Sequence, residues 1–235
     1  MKKAQLFTLH FAGGNCYSFQ FILPFLQDFE VIPLELPGRG KRMNERLLRD
    51  FDCAAQDFYT QIKAKIKGGP FLIYGHSMGA YLALKVTALL EKINLAPVGL
   101  LVSGNPGPGI KSNKERYLLE QNAFIEALKE LGGVPSEIIE NKELFDFFEP
   151  ILRADFEIAE KENASKENIV NVPIYAMMGS TEESVEDIEN WKRFTNSQFE
   201  YNVLEGDHFF IHKHPEKIAQ IIKNYFDSIP LMHYQ

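Results

Sequence analysis

Six short runs dominate this chain: AQLFTLHF, FEVIPLEL, PFLIYG, VGLLVSG, VPIYAMMG and FEYNVLEG. Each is rich in β-branched or aromatic residues and is closed by Gly or Pro, the pattern of a strand with its turn. Helical patterns separate them at 52–67, 77–93 and 186–194, and another at 215–227 ends the series, with Pro215 suited to its first turn. A strand exposed on one face alternates apolar and polar residues, whereas these runs are nearly continuous. They therefore predict an α/β fold, a parallel sheet covered by helices on both faces.

The 235 residues, 45% of them hydrophobic, suit one globular domain, 1–235. One interval breaks its rhythm. Between VGLLVSG and VPIYAMMG lie roughly seventy residues without a strand pattern, far more than a crossover helix needs. GNPGPG opens this interval and LGGVP cuts it, and helical stripes run through Phe124, Leu128 and Leu131, then Leu144, Phe148 and Ile151. Extra core helices would satisfy that pattern. The position favours a helical lid, 107–170, over the strand ends where open α/β sheets bind ligands.

Charge narrows the function. Against 25 basic residues stand 32 acidic ones, a net −7, which argues against a partner held through nucleic-acid phosphates. Cys16 and Cys53 have neither CxxC nor Cys/His ligand spacing, so no zinc site or disulfide framework is expected. The amino-terminal apolar patch is interrupted by Gln5, Thr8 and His10, and no stretch has the length of a membrane span. A cytoplasmic monomer is expected.

The stretch FLIYGHSMGAYLA puts Ser77 between Gly75 and Gly79, where a strand turns sharply into a helix. This is the G-x-S-x-G pattern of a nucleophile held on a strained elbow, with small neighbours where Cβ atoms would collide. The helix amino end there favours developing negative charge. Serine is a weak nucleophile without a base, and the base needs a third group to fix its tautomer. After the last strand, LEGD is followed by His208, the candidate base. His212 and His214 lie nearby, but no acidic or cysteine cluster supports a metal site with them. The acid belongs in the loop after the penultimate strand, in GSTEESVED. Glu182, three residues after Gly179, is the first choice, with Glu183 and Asp187 as competitors. The oxyanion hole takes the Met78 amide and a second donor from HFAGGN, with Ala12 first and Phe11 next.

These motifs together resemble the type II thioesterases, stand-alone α/β-hydrolases that accompany nonribosomal peptide and polyketide synthases. The likeness covers nearly the whole chain: HFAGGN, LPGRGKR, YGHSMGA, then LGGVPSEIIENKELFDFFEPILRADF in the insertion, and EGDHFF. The elbow would fit any serine hydrolase; LPGRG, LGGVP and LRADF in that order are far more specific. The resemblance implies an α/β-hydrolase fold with a mobile helical lid. It also implies hydrolysis of stalled or mis-primed acyl thioesters on the phosphopantetheine arm of a carrier protein, with Ser77 as nucleophile, His208 as base, and no cofactor or metal. The chain departs from the family twice. His10 stands where proline is usual, and Glu182 where aspartate is usual. Carrier docking could draw on the basic stretch Arg39, Lys41, Arg42, Arg46 and Arg49, opposed only by Glu45, although such a stretch more commonly solvates a loop and helix face. Two other readings are a general carboxylesterase or acyl-CoA hydrolase, and a catalytically decayed carrier-binding protein.

Overall fold

A computed structural model of the chain describes residues 3–110, 114–161 and 168–230. Its sheet runs β1 (Ala4–Leu9), β2 (Phe29–Pro33), β3 (Phe71–His76), β4 (Gly99–Ser103), β5 (Ile174–Gly179) and β6 (Phe199–Leu204), in the spatial order β2-β1-β3-β4-β5-β6. Every pair is parallel. The period of two in a strand divides the apolar residues between two cores. On one face Phe7, Ile73, Leu100 and Val102 pack with α1 (Phe51–Lys65) and α2 (Met78–Glu91). On the other, Leu6, Leu72, Tyr74 and Leu101 meet α6 (Pro215–Ser228). Strands β3 and β4 are buried along their whole length, which is why they read as unbroken apolar runs.

Local chemistry sets the element ends. Asp50 caps α1 by accepting the Cys53 amide, and Ala54, Ala55, Phe58 and Ile62 form the stripe that α1 buries. The second strand ends at Pro33 rather than running on to Leu36. The Leu34 amide still donates to the Thr8 carbonyl at 3.0 Å, and the chain then leaves the sheet. The segment expected as a helix at 186–194 is a 3-10 helix, Val185–Phe194, anchored by buried Ile188, Trp191 and Phe194.

Between β4 and β5 stand α3 (Gln121–Leu131), α4 (Ser136–Glu140) and α5 (Lys142–Glu160). The LGGVP break separates α3 from α4, with Gly132 and Gly133 both at positive φ. Phe124, Leu128, Phe145, Leu152 and Phe156 form a separate apolar cluster there, and Ala12 packs against it. Of the stripe read through Leu144, Phe148 and Ile151, Ile151 is buried and Phe148 packs against the cluster, but Leu144 is exposed and Phe145 takes its place. Asn141 caps α5 and fixes that phase, accepting the Leu144 amide at 3.1 Å. Of the interval 107–170, residues 111–113 and 162–167 lie outside the described residues. Among the described residues, no helix is long and apolar enough to cross a membrane.

Candidate active site

Ser77 sits between β3 and α2 with φ 55° and ψ −118°, a conformation non-glycine residues rarely adopt. The helix therefore starts at Met78, not at the serine. Close approach explains both glycines. A Cβ on Gly75 would lie 2.1 Å from the Gly79 carbonyl oxygen, and one on Gly79 would lie 2.2 Å from that of Leu9. The first turn of α2 thus rests directly on the end of β1, which brings HFAGGN beside the elbow.

Two contacts hold the strained turn. The Ser77 amide donates to the Ser103 carbonyl at 2.7 Å, and Asn105 Nδ2 donates to the Ser77 carbonyl at 2.7 Å. Asn105 is itself fixed, because its carbonyl accepts from Trp191 Nε1 at 3.0 Å and its Oδ1 accepts from the Gly107 amide at 3.0 Å. Sequence reasoning passed over Asn105. Its only trace was its place in GNPGPG, at the carboxyl end of a strand neighbouring the elbow.

A continuous hydrogen-bonded line runs through three chain-distant residues. Ser77 Oγ lies 2.9 Å from His208 Nε2, and His208 Nδ1 lies 2.8 Å from Glu182 Oε2. With the carboxylate ionised, Nδ1 carries the proton and Nε2 is left to accept from the serine hydroxyl. The second Glu182 oxygen accepts the Gly179 amide at 2.7 Å, and the Glu182 amide donates to the Gly179 carbonyl at 3.1 Å. The longer side chain folds back onto its own loop, so its reach is set by that clasp. Its competitors point elsewhere: Glu183 pairs with Lys114 at 2.7 Å, and Asp187 is exposed.

The histidines divide by environment. His76 is fully buried against Phe11, Phe209 and Phe210, with Nδ1 2.8 Å from Ser103 Oγ. Burial, then the neighbouring His208 and His212, holds it well below the usual imidazole range, so it stays neutral. His10, in the position usual for proline, bridges two loops: its Nδ1–H donates to the Phe11 carbonyl at 2.8 Å and its Nε2 accepts the Leu36 amide at 3.3 Å. His212 stacks on Phe209 and His214 meets the Glu205 carbonyl at 2.7 Å, so neither converges with His208.

Among the described residues, the amides of Met78 and Ala12 donate to no protein acceptor. The Gly14 amide, by contrast, is engaged by the Phe11 carbonyl. The basic stretch is mostly committed within the fold. Arg39 is buried against Asp155, Arg42 pairs with Glu45 and Asp57, and Arg49 pairs with Glu157. An open docking patch built on all five cations is therefore corrected; Lys41, which lies over the Tyr17 ring, and Arg46 are what is left of it.

Known proteins share this arrangement of chain. The sequence profile of the thioesterase domain family matches residues 4–226. The chain is 32% identical over 216 residues to the gramicidin S biosynthesis protein GrsT of Aneurinibacillus migulanus, covering 90% of this chain and 84% of that protein. It is 32% identical over 231 residues to the medium-chain S-acyl fatty acid synthase thioesterase of Rattus norvegicus, covering 94% and 86%. Among solved structures it matches ClbQ from the colibactin NRPS/PKS pathway with a TM-score of 0.89 and 26% identity, over 97% of this chain and 98% of that one.

Proposed function

The chain belongs to the thioesterase domain family, and from that premise we propose that Ser77, His208 and Glu182 form the triad of a type II thioesterase that clears acyl groups from carrier proteins. The observation that carries the reading is the unbroken line from Ser77 Oγ through His208 to Glu182.

The chemistry follows from the geometry. His208 Nε2 takes the hydroxyl proton as Ser77 Oγ attacks the thioester carbonyl, while Glu182 holds the ring and balances the imidazolium. The Met78 and Ala12 amides receive the oxyanion, aided by the amino end of α2. Collapse of the tetrahedral species breaks the carbon–sulfur bond, and His208 gives its proton to the departing phosphopantetheine thiolate. Water, deprotonated by His208, then attacks the acyl-serine and releases the free acid. Ser77 recovers its proton from His208.

Residues 107–170 serve as a helical lid within a single domain, 1–235. Two contacts support this. Ala12 packs against the α3–α5 cluster, and Gly133 lies so close to the ring of Phe209 that a Cβ there would be 2.1 Å away. The acyl chain would lie between that cluster and the elbow. The partner is an acyl-loaded carrier protein, met by a cytoplasmic monomer, with neither nucleic acid nor membrane involved; the net charge of −7 supports the first exclusion.

A hydrolysis panel tests the reading. Acyl-carrier thioesters of several lengths should turn over faster than the matching acyl-CoA or p-nitrophenyl esters. Ser77→Ala should remove turnover and labelling by a fluorophosphonate probe while leaving the melting temperature near wild type. Faster turnover of the simple esters would replace carrier editing with a general esterase. Retained turnover in Ser77→Ala would remove the mechanism.

A further inference from the structure

Arg39 and Asp155 come from LPGRG and LRADF, motifs that lie 116 positions apart, yet they form one buried bidentate pair. Asp155 is 0% exposed and Arg39 4%. A pair so deep is a poor device for stability alone. Desolvating both ions is costly, and apolar replacement of such pairs is often neutral or stabilising. Arg39 Nε is also buried without an acceptor among the described residues, which adds to the cost.

What the pair touches explains its place. Asp155 Oδ2 also accepts the Gly13 amide at 2.8 Å, and Arg39 reaches the Gly14 carbonyl at 3.4 Å. Gly13 and Gly14 directly follow Ala12, in the loop that supplies the second oxyanion donor. Leu152, one turn before Asp155 on α5, fills the space where a Gly13 side chain would stand; a Cβ there would be 2.5 Å from Leu152 Cδ2. The rest of the loop is pinned as well. His10 is tied to Leu36, and the Cys16 amide donates to Glu35 Oε1 at 3.0 Å. Ala12 keeps the free amide in a loop otherwise held at both ends and in its middle.

We infer that Arg39 and Asp155 are positioning residues through which α5, whose Ile158 is anchored in the core with α1 and α2, sets the oxyanion loop. This deepens the thioesterase reading and rests on it. Without the Asp155 carboxylate the Gly13 amide loses its acceptor and Arg39 is left as an uncompensated buried cation. Both changes release the peptide next to the Ala12 amide. The placement of α5 is thereby linked to transition-state stabilisation, because a donor helps only when it is aimed in advance at the developing charge.

The test compares Asp155→Asn, which keeps the shape and weakens the pair, with the double variant Arg39→Met/Asp155→Leu, which replaces it by apolar groups. Each is assayed on acetyl- and decanoyl-carrier thioesters alongside a thermal melt. The expected result is a kcat lower by about tenfold to a hundredfold, less than the roughly hundredfold to thousandfold cost of losing an oxyanion donor outright, because the Ala12 amide is misaimed rather than removed. The factor should be the same for both acyl lengths, with KM within about twofold and with a near-native melt for the double variant. A folded double variant with wild-type kcat would overturn the inference. So would a loss that appears in KM and grows with acyl length, since α5 would then act only as a chamber wall. Ser77→Ala probes the nucleophile independently, so failure here and failure of the thioesterase reading are told apart.

Discussion

At the scale of single residues, the informative position is the acid. Glu182 uses one oxygen on His208 and the other on the Gly179 amide. Glu182→Gln should keep the shape but remove the charge that balances the imidazolium, lowering kcat about a thousandfold or more. Glu182→Asp, one methylene shorter, cannot span both partners and should lose about tenfold to a hundredfold. Steady-state rates on one acyl-carrier substrate decide this, and an unimpaired Glu182→Gln would transfer the role to another group. That Ser77, Glu182 and His208 meet in one hydrogen-bonded line was readable because each follows a strand end. Asn105 and the Arg39–Asp155 pair were not. Their partners lie 28 and 116 positions away, and nothing local in GNPGPG or LRADF says what the side chain will meet.

At the scale of elements, the contact between α2 and the end of β1 determines whether the elbow and the HFAGGN loop, proposed to supply an oxyanion donor, face each other. Gly79→Ala should force a shift at that contact, because its methyl would fall 2.2 Å from a backbone oxygen that cannot move freely. Overpacking of this kind costs about 1–3 kcal/mol, read as a lower melting temperature, and kcat should fall with it. A variant that melts normally and turns over normally would mean that the helix can slide without disturbing the hole. The existence of β1, β3, β4 and β5 followed from the continuous apolar runs, since two-sided burial leaves a simple signature. Helix phase in the insertion was harder. ELFDFFEPIL offers two overlapping apolar stripes, and the Asn141 cap together with packing against Phe124 selects Phe145 over Leu144.

For the molecule as a whole, buried imidazoles tie stability to pH. Burial, reinforced by the Arg39 charge and opposed by Asp155 and Glu35, brings His10 down to about 4, and His76 and His212 are lowered too. Unfolded histidine takes a proton near 6.5, so between pH 6.5 and 4 the unfolded chain binds more protons than the folded one. Stability must then fall as pH drops through that window, by about 3 kcal/mol for His10 alone. His10→Gln retains a donor for the Phe11 carbonyl and an acceptor for the Leu36 amide. It should flatten the melting temperature against pH across the same window; an unchanged slope would show that His10 is not among the groups responsible. The sheet order has a consequence in time. The elbow and the HFAGGN loop belong to β1–β4, whereas Glu182 and His208 follow β5, which pairs onto β4, and β6, which pairs onto β5, both made only after the α3–α5 segment. A chain emerging from its amino end therefore presents Ser77 before Glu182 and His208 have been synthesised, and under the proposed mechanism the serine gains its base only when β5 and β6 have joined the sheet.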